Sequence, residues 1–227
     1  MNSSSNTGAT VLVDYSKKAR TPDLFFSNLI TISGLSAAGT SSALKMLAKE
    51  FAKLPYRYAS SGDVMRAEAA RLHLTIEEFV ELCESDPSYD RVCDQNVAIL
   101  SAHNYGIFEG RVVHAHAIRG YHVNLVCPLE ERAKRRYFQN QSNPKVPWQS
   151  QEEVLKGLER RDERDKHRFQ KYPGIYWPDE DFDLVIDTLK NPEWEVKHLI
   201  LEGHQSWLAR MGRANRIIHG MCLPTNP

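Results

Sequence analysis

The feature that most constrains the fold is a short apolar segment followed by a glycine-bearing loop and an amphipathic helix. Residues 29–32 form a continuous apolar run, as expected for a strand that is buried on both faces. After the loop of residues 33–42, apolar residues recur at helical spacing, at Leu44, Leu47, Ala48 and Phe51. A strand, a loop and a helix in this order predict the first unit of an α/β sheet.

The rest of the chain repeats this alternation. Short strands are predicted near residues 57–59, 107–108, 123–127 and 184–186. Helices are predicted between them, including one that begins with a Thr75/Glu78 capping box and one that is opened by Pro192. Further helices cover residues 129–138 and 152–169. This order predicts a doubly wound, mostly parallel sheet, in which ligands bind at the carboxyl ends of the strands.

Size and composition favour one compact domain. The 227 residues suit a single α/β unit, and the 29 basic residues balance the 29 acidic ones, so nothing in the overall charge suggests a nucleic-acid partner. The four cysteines show no CxxC spacing, which favours reduced thiols. No segment approaches the ~20 apolar residues of a membrane span. The polar first residues lack the apolar core of a signal peptide, so we expect a cytoplasmic protein.

The loop after the first strand resembles a phosphate-binding loop. Its eight residues from Gly34 fit the pattern G-x-x-x-x-G-K-[ST], except that Thr40 stands where lysine is expected. In such loops backbone N–H groups and the following helix N-terminus bind phosphate, and the final hydroxyl binds Mg²⁺. An ordinary strand-to-helix turn is the alternative. The candidate donor-binding residues are Gly34, Ser36, Ala37, Ala38, Gly39, Thr40, Ser41 and Ser42.

Two further motifs follow predicted strands. Glu109 could hold Mg²⁺ or its waters, and Arg111 beyond Gly110 could bind a monophosphate through its guanidinium. A surface turn with a salt bridge is the alternative. The other motif is Ser61-Gly62-Asp63 with Arg66, in which Asp63 is best interpreted as a helix N-cap and Arg66 could bind an acceptor phosphate.

A highly charged helix supplies the remaining candidates. Arg161, Arg164 and Arg168 share one helical face, and Asp162 and Asp165 share the neighbouring face. The arginines could belong to a mobile lid that closes over a phosphoryl group, or to a solvated helix with ion pairs.

Two other pairs of residues have spacings that could bind a nucleotide or a metal ion. Arg132 and Arg136, spaced i, i+4, could stack on a purine and contact phosphate. His114 and His116 lack a third ligand with suitable spacing, which argues against a metal site.

Taken together, these segments resemble the cytidylate kinases, particularly the archaeal-type branch. The resemblance covers residues 29–200 and rests on ITISGLSAAGTSS, SSGDVMR, LTIEEFVELCESDPSYDRVCD, IFEGR, CPLEERAKRR, RRDERDKHRFQKYPGI and DLVIDT. Archaeal-type members also have Gly-Thr where other phosphate loops have Gly-Lys, so Thr40 agrees with the resemblance.

The resemblance implies a P-loop nucleoside monophosphate kinase fold, with a five-stranded parallel sheet of order 2-3-1-4-5. It implies a flexible lead-in (1–27), a kinase domain (28–210) with an acceptor-binding insertion (61–104) and a lid (139–178), and a C-terminal tail (211–227). The expected catalytic residues are Arg111, Arg161, Arg164 and Arg168, and Ser41 and Glu109 are expected to hold Mg²⁺ directly or through water. The acceptor site is formed by Ser61, Gly62, Asp63, Arg66, Gly110, Arg111, Asp162 and Asp165.

The implied activity is phosphoryl transfer from ATP to CMP or dCMP by a monomer. Two alternatives remain at this point. One is a P-loop kinase with another small acceptor, of the adenylate or dephospho-coenzyme A type. The other is a non-catalytic nucleotide-binding protein of the same fold, because Thr40 brings no charge to the phosphates.

Overall fold

A five-stranded parallel sheet forms the centre of the molecule. The computed structural model describes residues 28–53, 57–101, 105–116, 120–144, 148–170 and 182–222. The strand order is β2-β3-β1-β4-β5, and every neighbouring pair is parallel, which confirms the predicted sheet. The strands are Asn28–Gly34 (β1), Arg57–Ser60 (β2), Tyr105–Glu109 (β3), Tyr121–Val126 (β4) and Leu184–Asp187 (β5).

Helices connect the strands and cover the sheet. They are Thr40–Glu50 (α1), Ser61–Arg71 (α2), Ile76–Ser85 (α3), Pro87–Ser101 (α4), Val113–His116 (α5), Leu129–Gln141 (α6), Gln151–Gln170 (α7) and Glu193–Cys222 (α8). The short helix α5 was not predicted. Residues 211–222 of the predicted tail are helical, because α8 continues to Cys222. The predicted lead-in, and residues 171–178 of the predicted lid, lie outside the described residues. None of the described helices is long and apolar enough to span a membrane.

The core lies on both faces of β1, as its apolar run predicted. Ile30 and Ile32 are fully buried in a cluster that includes Leu47 of α1 and Ile200 of α8. On the opposite face Leu29 packs with Phe108 and Val113. Burial of this strand on both sides fixes the position of the loop that follows it.

Two polar residues of β1 are also buried and are hydrogen-bonded to histidines. Thr31 Oγ1 lies 2.8 Å from His122 Nδ1, and Ser33 Oγ lies 3.0 Å from His114 Nδ1. His114 also packs against the ring of Phe182, with centroids 4.5 Å apart. These two contacts hold the His114 ring against the sheet.

Helices α2, α3 and α4 form a subdomain with its own small core. Phe79 and Cys83 of α3 pack with Ala69 of α2 and Cys93 of α4. The capping box of Thr75 and Glu78 is present at the start of α3, which confirms that prediction. Cys83, Cys93 and Cys127 are free thiols.

The start of α2 differs from the prediction. Ser60 occupies the N-cap position, and Asp63 lies inside the first turn, so the interpretation of Asp63 as the cap is wrong. The physical reason is that β2 extends through Ser60 and the chain enters the helix directly at Ser61.

Candidate active site

The loop between β1 and α1 has the shape of an anion-binding turn. Gly39, the residue before α1, has φ of 104° and has no side chain that could cap the first N–H groups of the helix. Ala37 also lies in the left-handed region, with φ of 64°. At Gly34 a Cβ atom would lie 2.8 Å from the carbonyl oxygen of Leu125, so only glycine fits beside β4.

Side chains from two other elements hold this loop. Thr188, just after β5, donates its hydroxyl to the carbonyl of Ala38 at 2.9 Å. From α6, Arg132 donates to the carbonyl of Ser36 at 3.3 Å, and Arg136 donates to the Ser36 hydroxyl at 2.9 Å. Thr188 was not among the predicted site residues, since a threonine after a short strand gives no signal by itself.

One cavity opens on the α8 side of the loop. This α8-side cavity has a volume of about 630 Å³ and is lined by loop, α1, α6 and α8 residues. Its apolar wall includes Met46, Leu125 and Val196, and its polar side includes Arg135 and Thr188. The predicted donor-site residues that it contains are Ala37, Gly39, Thr40, Ser41, Ser42 and Arg136. Ala38 is fully buried and contributes its carbonyl to the Thr188 contact.

A second cavity opens on the α7 side of the loop. This α7-side cavity has a volume of about 500 Å³ and lies between the loop, the α2–α4 subdomain and α7. It brings together residues from four separate predicted motifs: Gly34, Ser36, Ala37, Thr40, Ser41, Ser61, Gly62, Arg66, Glu109, Gly110, Arg111, Arg136, Arg161, Arg164, Asp165 and Arg168. The two cavities share Ala37, Thr40, Ser41 and Arg136, so they meet at the phosphate loop.

Glu109 is the buried carboxylate at this junction. Its Oε1 accepts hydrogen bonds from Ser41 Oγ at 3.2 Å and from Ser60 Oγ at 2.6 Å. The next residue is glycine because a Cβ at Gly110 would lie 2.1 Å from Ser61 Oγ. Close packing of Gly110 on Ser61 thus aligns the ends of β3 and β2. A carboxylate beside a hydroxyl at the loop offers the oxygen donors that Mg²⁺ prefers.

A charged network crosses the α7-side cavity. Arg111 forms a buried ion pair with Asp165 of α7. Arg168 lies 3.5 Å from Asp165 and 3.3 Å from Asp90 of α4. Arg111 has a pKa well below its ordinary value, chiefly because it is buried and also because of the positive charge of Arg161.

The remaining arginines make the cavity cationic. Arg161 has a pKa below its ordinary value, because the protein displaces its water and because Arg136, Arg164 and Arg168 are close. Arg164 lies 3.1 Å from Glu84 of α3. Positive groups that repel one another in a partly desolvated cavity favour a bound anion.

Two predicted site residues, Asp63 and Asp162, lie outside this cavity. Asp63 and Arg66 form an exposed ion pair, and Asp63 does not line the cavity although Arg66 does. Asp162 faces α6 and pairs with Arg132 at 2.7 Å. Asp162 therefore lies outside the cavity, since the helix turn that brings Asp165 inward directs Asp162 toward α6.

The structure places Arg132 away from the position expected for stacking on a purine. Arg132 is 3% exposed, and its guanidinium donates to Asp162, to Cys127 and to the loop carbonyl of Ser36. Its neighbour Arg135 lines the α8-side cavity instead and donates to the Thr188 carbonyl at 2.7 Å. Spacing in the sequence groups the arginines of α6, but the rotation of α6 against the sheet decides which arginine faces which cavity.

Comparison with known proteins agrees with this geometry. Residues 29–190 match the cytidylate kinase-like family. The chain is 32% identical over 161 residues to the cytidylate kinase of Methanothrix thermoacetophila, covering 70% of this chain and 88% of that protein. It is 33% identical over 171 residues to the cytidylate kinase of Methanocella arvoryzae, covering 74% and 90%.

Among solved structures, a gluconokinase from Sinorhizobium meliloti 1021 has a TM-score of 0.54 at 11% identity. The alignment covers 83% of this chain and 98% of that one, and it supports a shared fold alone. The family match, by contrast, includes the loop, the Glu109–Arg111 motif and α7. The chain belongs to the cytidylate kinase-like family.

Proposed function

We propose that this protein is a nucleoside monophosphate kinase that transfers the γ-phosphoryl group of ATP to CMP or dCMP, giving CDP or dCDP. The observation that carries the proposal is that two cavities meet at one phosphate loop, and that one of them is lined by several arginines. Direct transfer between two nucleotides requires two sites that share the position of the transferring group.

ATP is assigned to the α8-side cavity. The uncapped N-terminus of α1 suits the β- and γ-phosphates, and the apolar wall of Met46, Leu125 and Val196 suits a nucleobase. Arg135 and Arg136 border this cavity, and Arg136 also reaches the loop through Ser36.

The monophosphate acceptor is assigned to the α7-side cavity. Arg111 and Arg161 line it near the loop and can neutralise the acceptor phosphate. Ile76, Val80 and Phe169 provide apolar surface beside the charged groups, as a pyrimidine ring requires. The assignments of Ser61, Gly62 and Arg66 to this site remain part of the proposal.

The residues present fit the Mg²⁺ that accompanies ATP. Ser41 and Glu109 would hold it, with the remaining ligands from phosphate oxygens and water, as is usual for this ion. When bound, the ion neutralises charge on the phosphate oxygens.

The protein's own contribution to the reaction is positioning and charge stabilisation. Arginines directed into a cavity of low solvation stabilise the negative charge on the transferring group, and no strong general base is needed for phosphoryl transfer. Closure of α7 over the substrates would exclude water, which otherwise competes with the acceptor. We expect the protein to act in the cytoplasm as a monomer without a nucleic-acid partner.

The direct test is product identification. Purified protein is incubated with ATP, Mg²⁺ and CMP, and the nucleotides are separated and quantified. We expect CDP and ADP to form in equal amounts. ADP without CDP would indicate hydrolysis, and binding of both nucleotides without either product would indicate a non-catalytic protein.

A further inference from the structure

The phosphate loop lacks the cation that its pattern normally contains. Thr40 replaces the lysine, and a threonine hydroxyl donates a hydrogen bond but carries no charge. The transferring phosphoryl group nevertheless needs positive charge where the donor and acceptor sites meet. A cation that serves this purpose must reach the same place from another element of the fold.

Arg136 is the one cationic side chain, among the described residues, that lines both cavities. It projects from α6 onto the loop, where it donates to Ser36 Oγ at 2.9 Å. Its other recorded contact is to Gln139 Oε1, at 3.1 Å. Both partners are neutral.

The neighbouring arginines of α6 differ in this respect. Arg132 is paired with Asp162 at 2.7 Å, and Arg135 is paired with Glu131 at 3.0 Å. Within the described part of the chain, no carboxylate lies within ion-pair distance of Arg136. A half-buried guanidinium that has only neutral partners is available to a bound anion.

We propose that Arg136 supplies the positive charge that the loop lysine supplies elsewhere, by binding the β- and γ-phosphate oxygens of the donor nucleotide. This inference rests on the proposed function. It assigns Arg136 a catalytic part, beyond general contact with ATP, and it explains how the loop functions with Thr40.

The surrounding charges agree with such a role. Arg136 lies close enough to Arg161 that its charge lowers the pKa of Arg161. Burial also lowers the pKa of Arg136 itself. An anion placed between Arg136 and Arg161 would relieve both unfavourable effects, and a transferring phosphoryl group between the two cavities would be such an anion.

The competing explanation is that Arg136 only holds the loop in shape through Ser36. A charge-relocation experiment separates the two. Four proteins are compared: wild type, Arg136→Ala, Thr40→Lys and the double variant Arg136→Ala/Thr40→Lys. Lys134→Ala, which removes an exposed cation from the same helix, is the matched control.

Two quantities are measured for each protein: kcat for CDP formation, and the Kd of a non-hydrolysable ATP analogue with Mg²⁺. We expect Arg136→Ala to lower kcat about a hundredfold. We also expect it to raise the Kd at least tenfold, with Lys134→Ala unchanged in both. The double variant should have a kcat at least tenfold higher than that of Arg136→Ala, because the lysine returns a charge to the loop. It should stay below wild type, because the lysine cannot replace the Ser36 contact.

The inference is overturned if Arg136→Ala keeps kcat and Kd within threefold of wild type, or if Thr40→Lys rescues neither quantity. If the double variant does not fold, Arg136→Lys replaces it. A kcat at least tenfold higher in Arg136→Lys than in Arg136→Ala supports a role for the charge, and an equal kcat in the two variants contradicts it. If wild type binds the analogue but forms no CDP, the proposed function fails while the Kd series still tests Arg136.

Discussion

At the phosphate loop, backbone conformation at one residue controls whether an anion can bind. Gly39 has φ of 104°, which a β-branched residue tolerates poorly, although a Cβ there would meet Thr188 Cγ2 only at 4.0 Å. Gly39→Val should therefore abolish ATP binding by reshaping the turn before α1, and the milder Gly39→Ala should weaken it less. A titration with an ATP analogue measures both. Unchanged affinity in Gly39→Val would show that the loop is not a phosphate site.

Substitution of Arg111 tests whether the acceptor binds in the α7-side cavity. Its guanidinium lines the α7-side cavity and is absent from the lining of the α8-side cavity. Arg111→Ala should raise the KM for CMP at least tenfold, a loss of ~1.5–3 kcal/mol, while the KM for ATP changes little. Steady-state kinetics with each substrate varied in turn provide the measurement.

The buried ion pair of Arg111 with Asp165 requires a control. Arg111→Ala leaves a buried carboxylate with one partner fewer, which destabilises the fold. The variant Arg111→Ala/Asp165→Asn removes that charge, so it should recover stability without recovering the KM for CMP. A selective loss of ATP affinity in Arg111→Ala would contradict the assignment.

Two residues from separate motifs lie together at the phosphate loop. Ser41 and Glu109 were predicted to act together, and they lie within hydrogen-bond distance although 68 positions apart. The burial of Arg132 against α7 was not predicted, because periodicity gives the face of a helix but not its rotation about its axis. The prediction of Asp63 as a helix cap was wrong, because β2 extends to Ser60 and shifts the cap by three positions.

Among the elements, α7 carries both an exposed arginine, Arg164, and a buried one, Arg168. Arg164 is 44% exposed and pairs with Glu84, so Arg164→Ala should fold normally and lower kcat by about two orders of magnitude. Lys166→Ala, an exposed cation on the same helix, is the control. Near-wild-type kcat in single alanine variants of Arg161, Arg164 and Arg168 would leave the lid hypothesis without support.

Arg168 behaves differently from the expectation of an exposed lid residue. It is 8% exposed and lies between Asp90 and Asp165. Arg168→Ala should cost ~3–5 kcal/mol of unfolding free energy, because two buried carboxylates lose their shared partner. Urea denaturation of Arg168→Ala against Arg164→Ala measures this difference. Equal unfolding free energies of the two variants would show that the ion pairs of Arg168 contribute little to stability.

Helix α8 contains a pH-sensitive element. His204 is 4% exposed and packs between Tyr121 and Trp207, and burial lowers its pKa from 6.5 to about 4. The unfolded chain therefore binds a proton between these values that the folded chain does not, so the unfolding free energy falls as the pH decreases below 6.5.

The protonation of His204 in the unfolded chain lowers the unfolding free energy by up to ~3 kcal/mol near pH 4. His204→Phe keeps an aromatic ring beside Trp207 and removes the titrating group. The difference in unfolding free energy between wild type and His204→Phe should change with pH between 4 and 6.5 and stay constant above 7. A pH-independent difference would contradict the assignment.

Elements with strong local signals were predicted correctly. The five strands and the capping box of α3 follow from short apolar runs and from a side-chain pattern that acts within one turn. The four-residue helix α5 was missed because one turn leaves no periodicity. The predicted start of the tail at residue 211 falls inside α8, which continues to Cys222.

At the scale of the whole molecule, ion pairs between distant segments connect the walls of the α7-side cavity. Arg164 joins α7 to Glu84 of α3, and Arg168 joins α7 to Asp90 of α4. On the other side, Arg132 connects α6 to α7 and to the phosphate loop. The charged helix, the α2–α4 subdomain and the loop thus form one connected set of walls around the proposed transfer site.

The central claim is that these two cavities bind ATP and CMP or dCMP for direct transfer. The most direct measurement is kcat/KM from coupled detection of ADP release, with CMP, dCMP, UMP, AMP and dephospho-coenzyme A compared as acceptors. We expect CMP or dCMP to exceed every other acceptor at least tenfold, and Gly39→Val to abolish the signal. Preference for AMP or dephospho-coenzyme A, or no acceptor-dependent ADP release from a protein that binds ATP, would contradict the claim.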